Sequence, residues 1–358
     1  MSPRRRKRLD PSVFKLPAES IKAGEYSDRY YSLIPQVLKT ARKNPRVTLQ
    51  FSAKRDGWLS GIDEAIAILK LGVEDWNGLT VNALYEGDLI EAWDTVLAIE
   101  GDYAAFAHLE TVILGVLEHR SRVCTNVREL VDTARPKPVL FLGGRDEHWM
   151  MQPGDGFAAM IGGATQVSTE AQASLWGTTG GTKVAGTIPP ALIAAFGGDT
   201  VAATRHLAKQ LDESIPLLAL VDYENDVART SVEVARALGD RLWGVRLDTS
   251  EYMVDRSVLS QQGSFRPTGV NPQLVWNVRN ALDAEGFGDV QIVVSGGFDA
   301  ARVQDFADEA APVDAYGIGS AAYGGEFHFT SDVVMVDGKP QARVGRRLRE
   351  NPKLERVR

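Results

Sequence analysis

Four short segments end an apolar run on residues that could do chemistry. "LLALVDYEN" leads into Asp222, and "GVRLDTS" places Arg246 and Asp248 on either side of Leu247. "QIVVSGG" stops on Ser295, Gly296 and Gly297, and "VDAYGIGS" on Gly317 and Gly319. A carboxylate set directly after an apolar run is costly to desolvate unless a cation or hydroxyls face it. Magnesium with ribose hydroxyls would satisfy Asp222 and Asp248 together, since magnesium takes one or two carboxylates plus substrate phosphates. The plainer alternative is a structural ion pair, Asp248 with Arg246 or Asp222 with an arginine. Glycine lets backbone N–H groups approach an anion closely, and a helix starting just after adds its positive end, so two such turns suggest a phosphate cradle. Their plainer alternative is a pair of tight strand-to-helix turns. Arg145, in "GGRDEH", would join Arg246 against an anionic, phosphorylated sugar. No Ser/His/Asp or Cys/His set accompanies these residues. Cys124, the single cysteine, sits in an apolar stretch and reads as core.

Such residues need a scaffold that brings strand ends together. After Pro138 the chain alternates apolar runs with helical patterns, from "VLFLGG" through "LWGVRLDTS" to "VDAYGIGS", which predicts a parallel sheet. Seven or eight such units closing on themselves make a TIM-like α/β barrel, whose strand C-termini share one face; an open sheet is the alternative. Before it, "NPRVTLQFSAK" alternates as a half-buried strand, and "GIDEAIAILKL" has helical spacing after a glycine break. These and two extended segments around Gly87-Asp88 predict a small α+β domain with an open antiparallel sheet. A long amphipathic helix, "AHLETVILGVLEHRSRVCTNVRELVDTA", bridges the two parts. The tail returns to a β pattern with Asp337-Gly338 as a hairpin turn, and would pack back on the first domain. The expected division is a disordered basic segment 1–17, a sandwich domain 18–125 completed by 326–350, and a barrel domain 126–325.

The chain has 358 residues, 44% of them hydrophobic, enough for one large core and one smaller one. Its net charge of −7 argues against general nucleic-acid binding, which relies on lysine and arginine against phosphate. The basic "MSPRRRKR" reads as a solvated terminus, and no apolar core of a signal peptide follows it. No stretch has the length of apolar residues that crosses a bilayer, so a cytoplasmic protein is expected.

The motifs, taken in order from about Ile21 to Arg347, resemble the nicotinate phosphoribosyltransferase family of type II phosphoribosyltransferases. "GEYSDRYY" is similar to the family's N-terminal segment, and "GGRDEH" to its G-x-R-R-x-H stretch. "IGGATQVST" and "GTIPPALIAAFGGDTVAA" resemble its next two loops. "GVRLDTS", "VVSGGFD" and "VDAYGIGS" resemble G-V-R-L-D-S-G, S-G-G-L-D and D-x-F-G-V-G-T, and "VDGKPQARVGR" its C-terminal signature. The resemblance implies an N-terminal α/β sandwich, joined by C-terminal strands, on an irregular α/β barrel. It implies a pentosyltransferase, or an ATP-linked ligase where the reaction is coupled to ATP, in which nicotinate displaces pyrophosphate from magnesium-bound phosphoribosyl pyrophosphate (PRPP). By resemblance, Gly296, Gly297, Gly317 and Gly319 hold the 5-phosphate, and Asp222 and Asp248 fall on the ribose and magnesium. Arg145 and Arg246 contact the anionic substrates, and Tyr30 of a partner subunit stacks on the base, which implies a homodimer or larger. Leu142, His148, Ser168, Thr182 and Ser295 are further substrate-binding positions. Three positions depart from the pattern. Pro190 stands where the family has a histidine phosphorylated by ATP, and proline cannot carry a phosphoryl group. Leu142 matches an aromatic residue, and Asp146 stands where a second arginine is usual. These departures motivate two alternatives: another pyridine or heterocyclic base, or a non-catalytic nucleotide-binding paralogue.

Overall fold

The structure is a computed structural model that describes residues 7–176, 184–261, 263 and 265–357. Strands β1 (Arg46–Ala53), β2 (Gly57–Trp58), β3 (Thr80–Ala83), β4 (Leu89–Ile90) and β5 (Thr95–Asp102) come first. Six more follow: β6 (Val139–Phe141), β7 (Gln166–Val167), β8 (Leu217–Leu220), β9 (Leu242–Leu247), β10 (Gln291–Val294) and β11 (Ala315–Ile318). The chain ends with β12 (Phe329–Val336), β13 (Lys339–Pro340) and β14 (Glu355–Arg356). It divides into two compact units, Met1–Thr125 with Gly324–Arg358, and Asn126–Tyr323. The helix Glu110–Ala134 carries the chain from one into the other.

In the first unit an antiparallel sheet runs β13-β12-β1-β5-β3-β14. Alternation in β1 turns Val47, Leu49, Phe51 and Ala53 to a core that also holds Ile62, Ile66 and Leu69 of the helix Ile62–Gly72. On the other face Gln50 is buried too. Its amide donates to the Thr95 hydroxyl and to the carbonyl of Arg349, so the tail beyond 341 covers that face. The Asp337-Gly338 turn has φ of +48° and +72°, as a two-residue hairpin requires.

Of the segment 1–17, expected to be disordered, residues 1–6 lie outside the described residues, and from residue 8 it packs on the first unit. Arg8 pairs with Asp63 at 2.9 Å and donates to the carbonyls of Ala83 and Leu84, its guanidinium lying 4.1 Å from the centre of the Tyr85 ring. Asp63 is buried and would be costly there without this partner.

In the second unit all six strands are parallel, in the order β7-β6-β11-β10-β9-β8. The last strand pairs with the first, as in a barrel. Val184 adds a parallel bridge to Val167, and among the described residues no ladder joins β7 to β8. Among the described residues the sheet thus has six strands, where seven or eight closing units were expected. β8 and β11 are buried along their whole length, which explains their unbroken apolar sequences. Side-chain caps start the intervening helices: Asn271 before Pro272–Ala284, and Asp299 before Ala300–Asp308. Among the described residues no helix is long and apolar enough to cross a membrane.

Candidate active site

Because the six strands are parallel, their C-terminal ends collect on one face of the second unit. Arg246 and Asp248 are two residues apart at the end of β9, so both side chains project to the same side. They form an ion pair at 3.0 Å. Arg246 also donates from Nε to the Ser295 hydroxyl at 2.7 Å and from Nη1 to the Thr187 hydroxyl at 3.0 Å. Ser295, 2% exposed, in turn donates to Asp248 Oδ1 at 2.8 Å. The hydroxyl thus bonds arginine and carboxylate together across the ends of β9 and β10. The structural ion pair considered from sequence is present for Asp248.

Asp222, at the end of the neighbouring β8, has no ion pair among the described residues. Burial, and then the charge of Asp248, push its carboxyl up to about 6. Two carboxylates that repel each other, only one of them paired with an arginine, could together face a divalent cation. Among the described residues no group of three or more His, Cys, Asp or Glu side chains could hold a metal by itself. Asp222 and Asp248 could hold a divalent cation only with further oxygen ligands from a bound molecule.

A cavity of about 420 Å³ opens over this cluster. Leu140, Leu142, Leu218 and Val293 form its apolar floor; Arg145, Ser168, Thr187, Arg246 and Asp248 supply polar groups, and Pro190 sits on its wall. Gln152 and Gln172 hold the rim: Gln152 donates to the carbonyl of Gly144 and accepts from Thr169, and Gln172 accepts from Ser168. A larger cavity, about 600 Å³, lies beyond the shared wall 185–189 and holds none of the strand-end arginines and aspartates.

The two glycine turns differ. Gly296 and Gly297 have φ of +92° and +74°, a conformation that side chains disfavour. Gly317 lies within β11, where an added Cβ would stand 2.6 Å from Leu142 Cδ1. At Gly319 an added Cβ would stand 2.4 Å from a carboxylate oxygen of Asp146, whose carboxyl burial pushes up. Neither of these two has positive φ.

The structure thus joins Arg246, Asp248 and Ser295 directly, with Asp222 in electrostatic reach, and sets Leu142, Arg145 and Ser168 around the same cavity. His148 is exposed and caps the short turn Trp149–Met151 by accepting from the N–H of Met150. His206 bonds the Ala202 carbonyl and packs on Phe196. Tyr30 belongs to the first unit and is 80% exposed. Thr182 lies outside the described residues. Thr187 and Gln172 were not singled out from sequence; Thr187 lies in the "GTIPP" stretch, and its hydroxyl was the available signal.

Comparison with known proteins places these features among relatives. Residues 30–121 match the family model described as quinolinate phosphoribosyl transferase, N-terminal domain. The chain is 27% identical over 265 residues to a nicotinate phosphoribosyltransferase of Mycobacterium tuberculosis, covering 73% of this chain and 54% of that protein. A solved structure of nicotinate-nucleotide pyrophosphorylase from Pyrococcus furiosus is 32% identical, with a TM-score of 0.78, over 95% of this chain and 81% of that one. Human nicotinic acid phosphoribosyltransferase shares the fold, at 20% identity and a TM-score of 0.66 over 88% of this chain and 76% of that one. The chain spans about half the length of the curated relatives it matches.

Proposed function

The chain belongs to the nicotinate phosphoribosyltransferase family, and from that premise we propose that it transfers the phosphoribosyl group of magnesium-bound PRPP to nicotinate. The products are nicotinate mononucleotide and pyrophosphate, a step of NAD biosynthesis. The observation that carries this reading is the bonded set Arg246, Asp248 and Ser295, whose Arg246 and Asp248 line the cavity of about 420 Å³ and whose Ser295 leads directly into the Gly296-Gly297 turn. We read the six-stranded sheet with its Val184 bridge as an irregular barrel.

Departure of pyrophosphate builds positive charge on the ribose, so the site must neutralise the leaving group and position the base; no protein nucleophile is needed. Asp248, oriented by Arg246 and Ser295, takes the ribose hydroxyls, and Asp222 shares with it the magnesium that PRPP brings. That magnesium supplies charge neutralisation to the leaving pyrophosphate. Arg145, free of ion pairs among the described residues, faces the anionic substrates. Gly296 and Gly297 seat the 5-phosphate, while the apolar floor around Leu142 takes the flat face of the base. Tyr30 of a second copy, exposed in this chain, closes over the base, so the active form is at least a dimer. Pro190 stands at the first position of the helix Pro190–Ala195, and its only nitrogen is the tertiary peptide nitrogen, which cannot carry a phosphoryl group. The reaction accordingly runs without phosphohistidine coupling to ATP.

A second reading keeps the sugar chemistry and changes the base to another pyridine, such as quinolinate. The match of residues 30–121 to the quinolinate family model favours it. Pyrophosphate release by purified protein with magnesium and PRPP, offered nicotinate, nicotinamide and quinolinate separately with and without ATP, tests both. Release with nicotinate that ATP does not stimulate is expected. Release with quinolinate alone selects the second reading, and no release with any base rejects both.

A further inference from the structure

We propose that Arg302 is the positioning residue of the Gly296-Gly297 turn, clamping it in the conformation that receives phosphate. The inference rests on the reading of that turn as the phosphate seat.

The Arg302 side chain folds back from the first turn of the helix Ala300–Asp308. One guanidinium nitrogen donates to the carbonyl of Gly296, six residues earlier, and the other to the carbonyl of Val270 at 2.6 Å. The guanidinium plane lies over Phe298, 4.3 Å from the ring centre. Phe298 is itself buried, packed edge-on against Phe306. The backbone N–H of Arg302 is held by the Asp299 carboxylate at 2.9 Å. One residue therefore closes the whole turn from 296 to 302 and ties it to the loop that starts at Thr249, directly after Asp248.

The consequence follows from peptide geometry. In a trans peptide the carbonyl and the following N–H point to opposite sides. Holding the Gly296 carbonyl on Arg302 therefore turns the Gly297 N–H away from the guanidinium. Two glycines with positive φ have many alternative conformations, and a charged donor on the carbonyl selects one of them before the ligand arrives. Such preorganisation strengthens binding without touching the bond that breaks, so it is felt equally in the bound ground state and the transition state.

The test compares wild type, Arg302→Met and Arg302→Lys by steady-state kinetics in PRPP and by calorimetric titration with magnesium PRPP, with thermal midpoints alongside. Arg302→Met is expected to raise KM and Kd for PRPP roughly tenfold to a hundredfold, with kcat within about threefold. Arg302→Lys, which retains a charged donor, is expected to recover part of that loss. A merely structural role would lower the active fraction, and with it kcat, and leave KM alone. Wild-type KM and Kd in Arg302→Met, or a loss confined to kcat, overturns the inference. Should Arg302→Met not fold, Arg302→Gln, which loses the charge and one contact, decides by the same quantities. A wild-type protein that neither binds nor consumes PRPP overturns the phosphate reading itself and this inference with it. Wild-type binding matched by equal binding in Arg302→Met overturns this inference alone.

Discussion

The ends of β10 and β11 carry nearly the same sequence signal, glycine after an apolar run, and use it for different physical ends. At Gly296-Gly297 the backbone itself requires glycine, with both residues at positive φ and the turn clamped by Arg302. At Gly317 and Gly319 the backbone does not. There glycine makes room, for the Leu142 side chain in one case and the Asp146 carboxylate in the other. A turn whose conformation depends on glycine can present N–H groups to an anion; a strand that depends on glycine for space is a packing device, and at Gly319 its neighbour carries the wrong charge for phosphate. Glycine thus does different work at the two turns, and the proposed phosphate seat is the first of them.

Changes at the strand ends either break this contrast or sharpen it. Asp248→Ala has the largest expected effect, because it removes the ribose carboxylate and leaves Arg246 without its partner. A fall in kcat/KM of roughly a hundredfold to a thousandfold is expected, and steady-state kinetics showing a near-normal enzyme would move the chemistry elsewhere. Gly317→Ala should act on stability instead: crowding against Leu142 costs about 1–3 kcal/mol, read by urea unfolding, with KM for PRPP little changed. A large KM effect at wild-type stability would give this glycine a binding role.

Asp222→Asn separates the carboxylate pair by pH. The folded chain holds the Asp222 proton up to about 6, above its ordinary value of 3.8. The folded state therefore binds this proton more tightly than the unfolded chain. Its contribution to stability is full below the ordinary value and is lost as pH rises through about 6. The variant, lacking that loss, should gain in thermal midpoint over wild type from about pH 4 to about pH 7 while losing activity. A midpoint difference that does not vary with pH contradicts the assignment. Asp146→Asn has the smallest expected effect. Removing one half-exposed charge near Gly319 should lower KM for PRPP about twofold to threefold, fading at high salt.

The site was legible in sequence where local pattern determines it. Each strand end announced itself as an apolar run followed by charge or glycine, because a buried parallel strand must be apolar and must then leave the core. Helix starts were marked by Asn271 and Asp299, whose side chains bond the first free N–H groups. What pattern could not show are partners brought close only by folding. Thr187 reaches Arg246 across 59 positions, and Arg8 reaches Asp63 across 55, so the basic N-terminus looked solvated when part of it satisfies a buried carboxylate. Asp146 read as a lost arginine; its place beside Gly319 is what separates the two turns. Strand count and closure were equally hidden, since they depend on ladders between distant segments.

Calorimetric titration of magnesium PRPP into wild type, Gly297→Ala and Gly319→Ala tests the central claim most directly. Gly297→Ala forces a side chain into a left-handed conformation and should weaken binding at least about tenfold. In Gly319→Ala the Asp146 side chain can swing aside, and affinity should stay within about threefold of wild type. The reverse order, with Gly319→Ala the weaker binder, would contradict the account and move the phosphate to the end of β11.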